Sequence, residues 1–244
     1  MKTLTKRLII SAAVTLLAVT LLMGGFFIYI SDYYHADADS VLAYKSICEE
    51  NIVFNEGIIT IEPDGATAGL IFYPGGKVEY SAYLPLMVEC AQRRILCVLV
   101  EMPYNLAVLD VNAADGICDK YPEIEHWYIG GHSLGGSMAA SYIEKNSDLF
   151  DGLILLGAYS TADLASGSVD VLSIYGSEDG VMNREKYEKY KENLPSDLNE
   201  HVIEGGSHAY FGTYGEQKGD GTAAITNEEQ MEYTAELIEK FIFG

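Results

Sequence analysis

Positive charge is what this sequence has least of. Lysine and arginine number 15 against 36 aspartates and glutamates, a formal charge of −21. Three of the 15, Lys2, Lys6 and Arg7, precede any acidic residue, so the rest of the chain sets 12 basic groups against 36 acidic ones. Such a surface repels phosphate backbones and offers no basic stripe, so nucleic acid is not an expected partner. The charge is read as solubility rather than as a cation-binding device. Cysteine is scarce too. Cys48, Cys90, Cys97 and Cys118 form no Cys-x-x-Cys pair and no Cys/His metal spacing, so the sequence gives no support to a zinc site. Cys97, inside the apolar run Ile95 to Val100, reads as a small buried hydrophobe. An exported domain permits disulfides, but the spacing selects no pair. Internal repeats, low-complexity tracts and an interdomain linker are absent as well, and one folded domain is expected. With 49% hydrophobic and 21% charged residues, the chain has the apolar surface to offset the entropy of folding.

One stretch stands apart. From Leu8 to Ile30 no residue is charged, and these 23 positions at about 1.5 Å each cover roughly 34 Å, more than a bilayer core of about 30 Å. The reading is an uncleaved single-pass anchor. The alternative is a signal peptide cleaved near Ala36-Asp37-Ala38 to give a secreted protein, although such apolar regions usually run about 7 to 15 residues. Lys2, Lys6 and Arg7 precede the span and Asp32, Asp37 and Asp39 follow it, so the positive-inside rule puts the N-terminus in the cytoplasm and the domain outside. The expected division is 1–31 anchor, 32–51 linker or short helix, and 52–244 folded domain.

Within that domain, Ile52 to Phe54 and Ile58 to Ile61 flank Asn55-Glu56-Gly57 as a hairpin. Short apolar runs recur at Gly69 to Tyr73, Ile95 to Val100, Trp127 to Ile129, Gly152 to Leu156, Val169 to Tyr175 and His201 to Ile203, as strands buried on both faces. Helical spacing occupies Ala82 to Arg93, Leu106 to Lys120, Leu134 to Lys145, Arg184 to Asn193 and Glu228 to Phe243, the last opened by a capping box at Thr226 to Glu229. The alternation predicts an α/β fold: a mostly parallel sheet with helices on both faces and reactive groups at the carboxyl ends of strands.

The chemistry gathers at three of those ends. Trp127 to Gly130 runs into Gly131-His132-Ser133-Leu134-Gly135, a G-x-S-x-G turn between a strand and a helix, which projects a serine hydroxyl from a tight bend. A serine hydroxyl needs a base, and the base an orienting acid. Both follow in order: Gly176-Ser177-Glu178-Asp179-Gly180 closes one strand and Glu204-Gly205-Gly206-Ser207-His208 the next.

With these motifs, and with Tyr73-Pro74-Gly75-Gly76-Lys77 after an earlier strand, the chain resembles the α/β-hydrolase superfamily, close to its small dienelactone-hydrolase-like bacterial members, over residues 52 to 243. The resemblance implies Ser133 as nucleophile, His208 as general base and then acid, and Asp179 as orienting acid, with Glu178 the competing acid. It implies an oxyanion hole from the N–H of Leu134 and that of Gly76 or Lys77, one such donor being worth roughly 3 kcal/mol. The family often has His-Gly where this chain has Pro74-Gly75. Dienelactone hydrolases proper carry a cysteine nucleophile, so their substrate does not transfer. The expected activity is cleavage of an ester or related small-molecule acyl bond, without metal or organic cofactor. An acyltransferase or haloperoxidase-like activity on the same triad, and a non-catalytic binding module, are the alternatives.

About a dozen residues separate Leu156 from the next strand, too few for a helical lid. Ala209 to Thr222 is the candidate cover, pliable through Gly212, Gly215, Gly219 and Gly221. Tyr210, Phe211 and Tyr214 either line a substrate pocket or pack this loop down, and Tyr104 is a further candidate at the pocket border. His132 is expected to pack or hydrogen-bond within the turn, and His126 and His201 to be structural or exposed.

Overall fold

The computed structural model describes residues 2–47, 51–167 and 169–244. The chain divides into two units, Met1–Tyr33 and Tyr34–Gly244. The first is essentially one helix, α1 (Lys2–Ser31), whose segment Thr5–Ser31 is long and apolar enough to cross a membrane, a property that an anchor and a signal sequence share.

The second unit contains helix α2 (Ala38–Ile47), the hairpin β1 (Ile52–Asn55) and β2 (Ile58–Ile61), then β3 (Ala68–Tyr73), α3 (Leu84–Ala91), β4 (Ile95–Val100), β5 (His126–His132) and α4 (Leu134–Ile143). There follow β6 (Gly152–Leu156), β7 (Asp170–Gly176), α5 (Arg184–Tyr190), β8 (Asn199–Ile203) and α6 (Asn227–Phe243). The eight strands form one sheet in the order β1-β2-β4-β3-β5-β6-β7-β8. β1 and β2, and β2 and β4, pair antiparallel. All other pairs are parallel.

Alternation along β3 explains the layers, because successive side chains leave a strand on opposite faces. Leu70 and Phe72 join a core with residues of α3 and α6. Ile71 and Tyr73 join a second core with residues of α4. The central strands β3 and β4 are buried throughout, whereas the edge strands β1 and β8 keep exposed positions. The expectation of strands buried on both faces therefore fails at β8, which has a partner on one side only. α6 opens with the expected capping box: Thr226 accepts from the Glu229 N–H, and the Glu229 side chain accepts from the Thr226 N–H.

Two other expectations are corrected. Leu106 to Lys120 is not a helix. It forms only single 3-10 turns at Ala107–Leu109 and Cys118–Lys120. The Tyr73 hydroxyl donates to the Val111 carbonyl (2.9 Å) and accepts from the Ala114 N–H (2.9 Å), capturing groups a helix would have paired internally. Asp110, Asn112 and Asp115 also favour turns over helix interiors. The second concerns residues 32–51, where the short helix is present as α2 (Ala38–Ile47) but the boundary differs. The folded unit starts at Tyr34 rather than at residue 52: the Tyr34 N–H donates to the Lys77 carbonyl (2.7 Å), the Glu79 N–H donates to that of Tyr34 (2.9 Å), and the Asp37 N–H donates to that of Thr213 (2.7 Å). Cys90 and Cys97 are buried and Cys118 is half-buried, while Cys48 lies outside the described residues.

Candidate active site

Strand β5 ends in a bend that only small residues permit. At Gly131 a Cβ would come within 2.6 Å of the Tyr73 carbonyl oxygen and the Gly135 backbone, so α4 can start directly against the sheet. Between them Ser133 takes φ +53° and ψ −119°, a conformation that L side chains rarely adopt and that surrounding bonds must hold. Its N–H donates to the Leu156 carbonyl on β6 (2.9 Å), and its own carbonyl accepts from the Ser137 N–H (3.2 Å). The serine side chain makes no capping bond to the helix it precedes.

Two strands away, the loop after β7 carries Asp179. Its Oδ1 accepts from the N–H groups of Val181 (2.9 Å) and Met182 (2.8 Å). Its Oδ2 lies 2.8 Å from His208 Nδ1, with the His208 and Asp179 side chains 1% and 0% exposed. Burial alone would raise the Asp179 carboxyl. The His208 hydrogen bond and charge, with the Met182 and Val181 N–H groups, outweigh it and hold the carboxyl below 3.8. Glu178 instead accepts from Ser177 Oγ (3.0 Å) at an exposed position. His208 Nε2 is buried and makes no hydrogen bond among the described residues. The three residues follow β5, β7 and β8 at the carboxyl edge of the sheet, with β6 between the first two. Leu156 fixes Ser133, and a Cβ on the next residue, Gly157, would lie 2.9 Å from His208 Nδ1 and 3.2 Å from Asp179 Oδ2.

The loop after β3 reaches the same place. A Cβ on Gly76 would meet the Leu134 side chain at 2.9 Å, so Gly76 and Leu134 face each other beside the serine. Leu134 is the first residue of α4, where an N–H has no intrahelical acceptor. Of the two residues left open in that loop, Lys77 is set aside: its N–H donates to the Asn105 carbonyl (2.7 Å). The Gly76 N–H makes no backbone hydrogen bond among the described residues.

A network that the sequence did not announce lies beneath. His132 Nδ1 is 2.7 Å from the Tyr83 hydroxyl, which accepts from the Gly75 N–H (3.1 Å). The Tyr83 hydroxyl thus ties the His132 ring to the Gly75 main chain. The His132 ring packs 4.4 Å from that of His208. Burial, then the neighbouring His208, hold His132 well below its usual 6.5, partly opposed by the His208 main chain. The unfolded chain takes up a proton at His132 near pH 6.5 and the folded chain does not, so this residue costs stability as pH falls. The limiting slope is about 1.4 kcal/mol per pH unit. Chemical denaturation at pH 7 and pH 5 should show this loss, and His132→Asn, which keeps a hydrogen-bonding group for Tyr83, should flatten it; an unchanged slope in the variant would contradict the assignment.

The aromatic residues of the following loop divide. Phe211 is wholly buried and Tyr214 nearly so. Both rings pack on His132, so Phe211 holds the loop down instead of lining a pocket. Tyr210 is half-buried and Tyr104 is 55% exposed. Tyr104 and Asn105 both adopt positive φ in the turn that receives the Lys77 N–H. His126 is exposed beside Asp151, and His201 is half-buried in β8. Among the described residues no group of three or more His, Cys, Asp or Glu side chains is placed to hold a metal ion.

This strand order, with a serine on a strained turn after β5, is matched by sequence comparison: the model of the α/β-hydrolase family covers residues 69–232. The chain belongs to the α/β-hydrolase family. No curated protein matches its sequence. Solved structures share the α/β-hydrolase fold at low identity. TT1662 from Thermus thermophilus is 15% identical, with a TM-score of 0.58 over 77% of this chain and 94% of that one. The carboxylesterase CesB from Bacillus subtilis is 14% identical, with a TM-score of 0.55 over 85% and 99%. A dienelactone hydrolase from Anabaena variabilis is 17% identical, with a TM-score of 0.55 over 75% and 88%. At such identities these proteins share an architecture with the chain and do not transfer a substrate.

Proposed function

We propose that the chain is a serine hydrolase that cleaves an ester or related acyl bond through an acyl-enzyme. The observation that carries this reading is the His208 ring, bonded through Nδ1 to Asp179 Oδ2 at 2.8 Å with a buried, unpartnered Nε2, over a strand end that also fixes Ser133. Asp179 keeps the hydrogen of His208 on Nδ1, so Nε2 carries the lone pair that removes the serine proton as Oγ attacks the acyl carbon. The N–H groups of Leu134 and Gly76 receive the oxygen that becomes negative. His208 then protonates the leaving alcohol, and a water activated by the same nitrogen releases the acid. Carboxylesterase and dienelactone hydrolase activities among similar folds are consistent with this chemistry.

The apolar helix Thr5–Ser31 supports a further part of the reading, anchoring in the cell membrane, and Lys2, Lys6 and Arg7 before its uncharged stretch Leu8 to Ile30 support an N-terminus in the cytoplasm with the catalytic unit outside. The full-length chain in detergent should hydrolyse p-nitrophenyl esters with an initial burst of p-nitrophenol stoichiometric with enzyme, the sign of an accumulating acyl-enzyme. No turnover of esters or thioesters above background by the folded chain would contradict the reading.

A further inference from the structure

The loop Ala209 to Thr222, expected to be a pliable cover, turns back on itself, and its Asp220 carboxylate reaches two catalytic loops at once. Asp220 Oδ1 accepts from the N–H of Gly180 (3.1 Å), immediately after Asp179, and from the N–H of His208 (3.1 Å). It also accepts from its neighbour Gly221 (3.0 Å). Oδ2 accepts from the N–H of Ala209 (2.8 Å). Hydrogen bonds from N–H groups to a carboxylate are stronger than those between neutral partners. Here they join residues that are 29 positions apart in sequence and touch through the Asp179 to His208 contact.

The glycines around Asp220 have a different use from pliability. A Cβ on Gly180 would stand 2.5 Å from the Gly219 carbonyl oxygen, and one on Gly221 would overlap the carbonyl oxygen of Glu178. The Gly221 N–H also donates to that Glu178 oxygen (3.0 Å). The main chains of 178–180 and 219–221 therefore lie directly against each other, and the carboxylate between them reaches on to 208–209.

We propose that Asp220 is a positioning residue for the triad: it clasps the acid-bearing loop to the base-bearing loop and so sets the register of the His208 ring against Asp179. The inference rests on the triad reading for the roles of those two residues. Asp220 reaches them through their main chains and has no place at the reacting atoms. Its loss therefore changes the geometry of proton transfer and leaves substrate binding alone.

The test uses the full-length chain in detergent, with Asp220→Ala and Asp220→Asn beside wild type. The asparagine keeps one carbonyl oxygen for the Gly180 and His208 N–H groups and opposes an NH2 to Ala209. Expected for Asp220→Ala are a kcat on p-nitrophenyl acetate at least tenfold lower, a KM within about twofold of wild type, and faster amide hydrogen exchange in both 178–181 and 207–210. Asp220→Asn should fall between, and it carries the test if the alanine variant does not fold. An unchanged kcat, or faster exchange confined to 207–210, overturns the proposal. If wild type neither turns over esters nor reacts with a fluorophosphonate, the triad reading fails, and exchange alone then decides: acceleration in both segments supports the clasp, and its absence in 178–181 overturns it.

Discussion

Asp179→Asn should lower kcat by about 10⁴-fold without unfolding the protein, the magnitude expected when the acid of a Ser-His-Asp triad is replaced by its amide. The geometry gives the reason. Oδ1 of Asp179 accepts from two main-chain N–H groups, Val181 and Met182, so the asparagine oxygen is held at that position and the NH2 is forced toward His208 Nδ1. That NH2 donates where the carboxylate accepted. Nδ1 becomes an acceptor, the ring hydrogen moves to Nε2, and the nitrogen that should take the serine proton already carries one. Because the Asp179 carboxyl is held below 3.8 in the fold, its ionised form also stabilises the native state above that pH. This contribution is lost as pH falls through the depressed value. Steady-state kinetics at pH 8 with a melting curve on the same sample checks both parts. A variant within tenfold of wild-type kcat would mean that Asp179 does not orient the base.

The second large effect is on folding. Gly135→Ala should destabilise the chain by about 4 kcal/mol or more, beyond the range of ordinary substitutions. A Cβ at this position overlaps the carbonyl oxygens of both Tyr73 and Pro74, and main-chain atoms cannot yield by changing rotamer. Relief requires moving α4 away from β3, which separates Leu134 from the Gly76 loop. Gly167→Ala is the matched control: its Cβ would meet its nearest neighbour, the Leu164 carbonyl oxygen, at 3.4 Å, and a change within about 0.5 kcal/mol is expected there. Urea denaturation of the two variants separates them, and equal midpoints would contradict the packing argument at the turn.

Much of this was readable from the residues because each signal was local. Apolar runs bounded by Gly and acidic residues marked β3, β4 and β6 closely. The glycines around Ser133 marked the turn, and the order of Asp179 and His208 after it marked the strand ends that the fold brings together. The failures were nonlocal. Leu106 to Lys120 has helical spacing, but the Tyr73 hydroxyl, from a strand more than 30 residues earlier, takes its main-chain groups. Residues from Tyr34 onward read as a linker or short helix outside the folded domain because their partners, Lys77, Glu79 and Thr213, lie far along the chain. Lys77 could not be separated from Gly76 without knowing that Asn105 accepts the lysine N–H. The Tyr83 to His132 contact spans 49 positions and has no sequence pattern. Asp220 carried the one unused local signal, a carboxylate between two glycines, which is what close contact of two main chains around an acid requires.

The central claim is that Ser133 is an activated nucleophile. Incubating the full-length chain in detergent with a fluorophosphonate, then locating the adduct by peptide mass spectrometry, tests it most directly. One phosphonyl group per chain is expected on the peptide containing Ser133, and none on Ser133→Ala of equal thermal stability. An unlabelled, folded wild-type chain, or an adduct that persists in Ser133→Ala, would contradict it.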